Sequence, residues 1–241
     1  MNKRLIFLAG MLTCSLALSA CSININDNND NAEITDTIHE SKNIDLSGEN
    51  ALTSDITMGV GRLNISSDTN KLFEGNFDYN VKKLKPEISY SSNVLKLSHN
   101  KMNQNISGNN YKCDWNLKFN PKVLMSMDIN MGNGSGNLDF SKINLKSLSA
   151  KFGVGDYLVD LRGSYNQDVN VSIQGGVGKV KIILPKSTGV SVNCEKGVGS
   201  VRAANFTKEN SSYKNDAYGK TKNSINVDVK AGVGDIELEL K

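Results

Sequence analysis

One short motif constrains this chain more than any other feature. Gly-Val-Gly returns as "MGVGRLNI" at 58–65, "FGVGDYLVDL" at 152–161, "GGVGKVKIIL" at 175–184, "KGVGSVRA" at 196–203 and "AGVGDIELEL" at 231–240, with a looser copy, "MGNGSGNLDF", at 131–140. The first glycines are Gly59, Gly132, Gly153, Gly176, Gly197 and Gly232; the second are Gly61, Gly134, Gly155, Gly178, Gly199 and Gly234. Counted on the first glycines, successive copies are 73, 21, 23, 21 and 35 residues apart. A spacing near 22 suits one coil of a parallel β-solenoid, in which each turn of chain lies on the one before. The longer gaps leave room for N-terminal strands and for an insertion at 207–224.

Aligning the copies on the second glycine separates core from surface. Two residues beyond it stand Leu63, Gly136, Tyr157, Val180, Val201 and Ile236; four beyond stand Ile65, Leu138, Val159, Ile182, Ala203 and Leu238. Five before it stand Ile56, Ile129, Ala150, Ile173, Cys194 and Val229; seven before stand Ser54, Met127, Leu148, Val171, Val192 and Val227. These columns are largely apolar and are expected to face inward, with polar residues between them, as in half-buried strands. The residue between the glycines is also apolar (Val60, Val154, Val177, Val198, Val233, with Asn133 the exception), so it too is expected in the core. Alternation slips by one at the second glycine. A residue without Cβ tolerates the positive φ such a slip needs, so the glycines read as structural corners between two strands.

Upstream, Phe73, Gly75, Phe77 and Tyr79 alternate with polar residues. So do Ile88 and Tyr90, then Leu95 and Leu97 beyond Ser91-Ser92-Asn93, and Tyr111 to Phe119. These predict further strands. Cys113 and Cys194 fall on apolar strand faces and read as free buried thiols, although an extracytoplasmic pairing stays open.

The N-terminus reads as an address. Lys3 and Arg4 precede an apolar run from Leu5 to Leu16, too short for a stable membrane span. Leu18-Ser19-Ala20-Cys21 then reads as a lipobox, with residues 1–20 a cleaved signal peptide and Cys21 the lipidation site that anchors the protein to the membrane. Residues 21–45, rich in Asn and Asp, are expected to be a disordered tether. A calcium loop there fails, because Ala32 and Ile38 stand where Gly and Glu are required. Removing Lys3 and Arg4 from the 28 basic residues leaves 26 against 25 acidic ones. That balance argues against a nucleic-acid partner.

No cofactor or metal is expected. A dinucleotide site needs a third glycine and a helix after the strand, but each copy runs into another strand. Calcium β-rolls need Asp where Val180 stands. Polysaccharide chemistry needs acids gathered on one face, yet the residue after each second glycine is Arg62, Ser135, Asp156, Lys179, Ser200 or Asp235. Asp156 and Lys179 are expected to neighbour each other across coils. His39 and His99 have no metal-binding partner pattern. No catalytic residue is assigned.

The stretches "LFEGNFDYN" (72–80), "LKPEISYSSNVLKL" (84–97) and "WNLKF" (115–119) resemble the N-terminal toast-rack domain of bacterial envelope proteins. The Gly-Val-Gly coils, "SYKNDAYG" (212–219) and the closing "AGVGDIELEL" resemble the C-terminal domain of the cell-wall-active antibiotic response family. The resemblance implies a right-handed parallel β-helix without catalytic residues. It divides the chain into a toast-rack-like region at 46–130 and solenoid repeats at 131–241. The expected role is a non-enzymatic binding or scaffolding module of the cell envelope, facing an envelope protein or glycan. A cell-wall-stress modulator, an adhesin and a polysaccharide-active enzyme are the alternatives. The chain stops after a strand, at Leu240-Lys241, so an open C-terminal edge is expected, with self-association through it one outcome.

Overall fold

A computed structural model describes residues 34–99 and 111–241. The structure is all-β. Among the described residues it holds sixteen strands in one hydrogen-bonded sheet, with a single 3-10 turn at Lys82–Leu84. No described helix is long and apolar enough to cross a membrane.

Three long strands set the architecture: β2 (Ala51–Ser67), β7 (Leu124–Asp139) and β8 (Leu145–Asp160). Each passes through a Gly-x-Gly corner without a break. They lie parallel and in register, with Gly61 opposite Gly134 and Gly134 opposite Gly155. Later coils split at the corner into pairs: β9 (Val169–Val177) with β10 (Val180–Leu184), β11 (Gly189–Val198) with β12 (Val201–Ala203), and β15 (Ser224–Val233) with β16 (Ile236–Leu240). The corners therefore fold the sheet into two walls. Before the corner the parallel order is β2-β7-β8-β9-β15-β11; after it, β2-β7-β8-β10-β16-β12.

The four aligned columns supply one continuous core between the walls. Ile56, Leu63, Ile129, Leu138, Val159, Ile173, Ile182, Val229 and Ile236 are buried in it. Val201, Ala203 and Cys194 are only partly buried, since their coil is the last in the stack. Size is balanced between coils. Gly136 leaves space that the ring of Tyr157 fills from the next strand, and Tyr157 stacks on Phe152 across the corner, centroids 3.9 Å apart.

At the amino-terminal end, β1 (Ile34–Ile44), β3 (Phe73–Val81) and β6 (Cys113–Phe119) extend the second wall. β1 and β3 are antiparallel, as are β3 and β6, and β6 runs parallel to β2. Phe73 packs on Phe119 and Phe77 on Trp115, at 5.3 and 5.5 Å. The hairpin of β4 (Pro86–Ser91) and β5 (Val94–His99) extends the first wall, its turn closed by Ser92 and Asn93 at positive φ.

Four expectations need correction. First, residues 34–44, assigned to the tether, form strand β1. Its register against β3 supplies the order that its polar composition hides, and Thr35 Oγ1 donates to Asn80 O at 3.1 Å. Second, the expected boundary at 130/131 falls inside β7, and the described residues form one compact unit. Third, the copies do not stack in chain order. β15, the last long strand, lies between β9 and β11 and is parallel to both. Fourth, the C-terminal strand is therefore not an open edge. β16 is paired on both sides, with β10 and β12. The 207–224 segment caps the stack instead, with β13 (Thr207–Glu209) and β14 (Ser212–Lys214) forming a hairpin whose β14 is antiparallel to β11. The signal peptide, the remainder of the tether and Cys21 lie outside the described residues.

Candidate functional site

The corner repeats through six coils, and each glycine has its own physical reason. At the second position the backbone needs positive φ, from +128° at Gly178 to +153° at Gly134. At the first position φ is ordinary, but the coils approach closely. A Cβ on Gly153 would meet the carbonyl oxygen of Gly132. Gly155 carries both constraints: φ is +140°, and a Cβ would drive into the carbonyl oxygen of Gly134. The glycines thus form a closely packed backbone stack.

The residue between the glycines is where the structure departs most from expectation. Val154, Val177, Val198 and Val233 are 50, 49, 72 and 49 % exposed, so they do not fill the core. The inward positions flanking a corner are Phe152 and Tyr157, and the four residues between them make the apex. Val154 pairs with Val177, Val177 with Val233, and Val233 with Val198. Four valines in four adjacent coils therefore line one outer ridge, continued by Asn133 and the partly buried Val60. Beside the ridge runs a groove of about 420 Å³, lined by Gly132, Gly153 and Gly176 with Phe152, Lys151 and Gln174.

Polar groups near the corners are largely engaged with one another. Asp156 Oδ1 accepts the backbone N–H of Lys179 at 2.9 Å, and Asp235 Oδ1 accepts that of Ser200 at 3.0 Å. The expected Asp156–Lys179 neighbours are therefore tied through the Lys179 backbone. The ammonium of Lys179 pairs with Glu237 instead. Lys181 lies 2.8 Å from both Glu237 and Glu239, and Lys241 lies 3.0 Å from Glu239. The lysine hydrogen bonds hold the Glu237 carboxyl down at about 2.

Neither thiol is poised for chemistry. Cys113 is buried, Cys194 partly so, and both are free. Burial pushes each up to about 12. His39 lies on β1, 2.7 Å from Asp78. His99 has a structural role that sequence reasoning missed. It is buried at the end of β5, and its Nε2 accepts the N–H of Gly59 at 2.9 Å, anchoring the first corner. Only the three-dimensional pairing of β5 with β2 brings them together. Among the described residues no group of three or more His, Cys, Asp or Glu side chains gathers to hold a metal ion.

The fold and its surface define a class: an all-β, solenoid-like protein with a glycine spine and an exposed apolar ridge. Residues 33–183 match the family model described as the N-terminal domain of toast-rack, DUF2154, and residues 133–238 match the C-terminal domain of the cell wall-active antibiotics response protein LiaF. The chain belongs to the toast-rack family, and its C-terminal part is similar to the LiaF C-terminal domain. A crystal structure from Clostridium sporogenes ATCC 15579, described as a "putative cell adhesion protein", is 40 % identical. It covers 85 % of this chain and 100 % of its own, with a TM-score of 0.83. Structures from Bacteroides fragilis NCTC 9343 and Parabacteroides distasonis ATCC 8503, each described as a "putative adhesin", are 12 and 13 % identical. They cover 84 % of this chain and 96 and 98 % of their own, at TM-scores of 0.28 and 0.30. No curated protein matches the chain.

Proposed function

We propose that this protein is a non-enzymatic binding module of the cell envelope, held at the membrane by a lipid on Cys21 and wound as a right-handed solenoid. The observation that carries the reading is the valine ridge. Four apolar side chains stand exposed in register on a rigid backbone, while charged neighbours such as Lys179, Lys181, Glu237 and Glu239 are spent on each other. Exposed apolar rows rimmed by polar residues are typical of interaction surfaces. The 40 % identical relative described as a "putative cell adhesion protein" supports the same direction.

The test has two arms. Cys21→Ser should move the protein from the membrane fraction to the soluble one; unchanged membrane retention rejects the anchor. Val177→Ser with Val233→Ser should weaken retention of the full chain on isolated envelope material without lowering its unfolding midpoint. Unchanged retention rejects the ridge, and release of product from wall glycans by the wild type would reassign the protein as an enzyme.

The LiaF-like match over residues 133–238 favours a second reading, a modulator of the cell-wall stress response. Deleting the gene should then alter the transcriptional response to wall-active antibiotics. An unchanged response removes this role and leaves the binding module.

A further inference from the structure

On the side of the molecule away from the corners, the chain leaves the second wall and turns back to the first. All of these turns carry a cation except the one after β12 (Val201–Ala203), which runs Ala204-Asn205-Phe206. Lys122 follows β6, Lys142 follows β7, Arg162 follows β8 and Lys186 follows β10, while Lys241 ends the chain after β16. Strand pairing places β7, β8, β10 and β16 side by side, so the cations fall in one row. The alignment persists into the turns, where Phe140 N donates to Asp160 O at 2.9 Å, Leu161 N to Ile183 O at 2.8 Å, and Lys186 N to Lys241 O at 3.0 Å. At about 4.8 Å per strand, the run from β7 to β16 spans roughly 14 Å.

Three of these cations line a cleft of about 530 Å³, formed by Lys122, Lys142 and Arg162 together with Ser141, Asn144 and Asn166, among others. No carboxylate lines it. Of the acids nearest in sequence, two pair with members of the row itself, Asp160 with Arg162 and Glu239 with Lys241. Asp139 accepts the N–H of Ser141 at 2.9 Å, Asp160 grips Arg162 from behind, and Glu239 lies against Lys181 and Lys241. Lys122, Lys142 and Lys186 are exposed and have no ion pair among the described residues. The mature chain is close to neutral, so the three lysines without ion pairs at this edge are a local concentration, not a reflection of overall charge.

We infer that this basic turn cleft binds a linear polyanion of the envelope, a polymer with a carboxylate or phosphate in each repeat. Lysines supply the attraction and counterion release. Arg162 is held planar-side by Asp160 with its remaining N–H groups available, and the Ser and Asn side chains suit the hydroxyls of a sugar or polyol repeat. A row of cations fits a chain better than a single small anion, because successive repeats meet successive coils.

The inference deepens the envelope-binding reading and rests on it for the source of the polymer. The test compares the full chain, purified in non-ionic detergent, with a Lys122→Glu, Lys142→Glu, Lys186→Glu variant. A second triple variant, Lys96→Glu, Lys196→Glu, Lys220→Glu, makes the same charge change at exposed lysines elsewhere. The probes are polygalacturonate, inorganic polyphosphate, uncharged dextran and vesicles containing phosphatidylglycerol. The wild type should bind at least one polyanion and not dextran, with affinity falling as salt rises. The turn variant should lose at least about tenfold and show a flatter salt dependence, while the control stays within about twofold. Which polyanion binds distinguishes carboxylate from phosphate. Equal losses in both variants, or binding of neither polyanion, overturns the cleft. Vesicle binding that depends on the turn lysines, without polymer binding, also overturns it and assigns the edge to a membrane. On isolated wall material, equal retention of wild type and turn variant rejects the cleft but leaves the binding module standing. No retention of the wild type rejects the module itself.

Discussion

Asn215 and Val190 hold each other twice. The N–H of Val190 donates to Asn215 Oδ1 at 2.9 Å, and the N–H of Asn215 donates to Val190 O at 3.2 Å. The side-chain amide of Asn215 also donates to Thr188 O at 2.7 Å and Pro185 O at 3.2 Å. One buried side chain therefore clamps the turn from β10 to β11, where the chain steps past the slot later filled by β15. Asn215→Ala should cost roughly 1–3 kcal/mol for each buried group left orphaned. Asn215→Asp should be no better near neutral pH, since it sets a carboxylate against two carbonyls. Urea unfolding of both variants checks this, and a loss under about 0.5 kcal/mol for Ala would refute the clamp.

The inserted coil makes the carboxy terminus a central element. Deleting residues 224–241 removes β15 and β16 from between β9/β10 and β11/β12, which leaves two parallel faces without partners. The truncated protein should lose cooperative unfolding and bind hydrophobic dyes. Deleting 204–214 instead strips a hairpin from the end of the stack and should leave a cooperative, less stable fold. The reverse ranking would contradict the strand order.

Much of this was legible because inward columns must be apolar wherever they fall. Leu63, Ile129, Val159 and Ile236 need only the corner as reference, whichever coil lies next to them. Strand order was not legible for the same reason. Every corner offers the same Gly-x-Gly backbone, so any copy fits any slot, and a 35-residue gap reads equally as an insertion or as a return into the stack. The valine ridge was misassigned by alternation. From Phe152, counting by two reaches Val154 inside. The positive φ at Gly155 makes the chain turn there, and Val154 stands outside at the apex. Asn215 and His99 act through partners distant in sequence, and no local pattern announces them.

Gly155→Ala tests the spine. It combines a disfavoured backbone with a clash against Gly134, so a loss of roughly 2–6 kcal/mol is expected. Gly219→Ala is the comparison. Its φ is +76°, but nothing lies within 4 Å of the added Cβ, so only the backbone cost of about 1 kcal/mol remains. Similar losses at both sites would show that close stacking adds nothing.

Tyr157 offers a change in the other direction. Its ring is buried against Phe152, yet its hydroxyl has no hydrogen-bond partner among the described residues, and burial with the nearby Asp156 pushes it up to about 12. Removing an unsatisfied hydroxyl while keeping the ring should be neutral or stabilising by up to about 1 kcal/mol. Tyr157→Ala should lose roughly 3–5 kcal/mol through the cavity it opens beside Gly136. Thermal melts separate the two. Destabilisation by Tyr157→Phe would mean the hydroxyl is satisfied in solution.

The Glu237 ladder gives a pH signature. Hydrogen bonds from Lys179 and then Lys181 hold its carboxyl near 2, below the 4.5 of a free glutamate. A depressed carboxyl binds fewer protons folded than unfolded. Its stabilisation is therefore complete above about pH 4.5 and is lost progressively as pH falls from there through 2. Glu239 and Asp235 are lowered as well, the first by Lys181 and Lys241, the second by Ser200, so acid weakens the same outer face at several points. Glu237→Gln should lower the unfolding midpoint at pH 7, with a difference that shrinks from about pH 4.5 downward and vanishes only below about pH 2. High salt should shrink the difference at pH 7, because the ladder lies on the surface. Parallel curves across the whole range would mean that Glu237 contributes nothing through its charge.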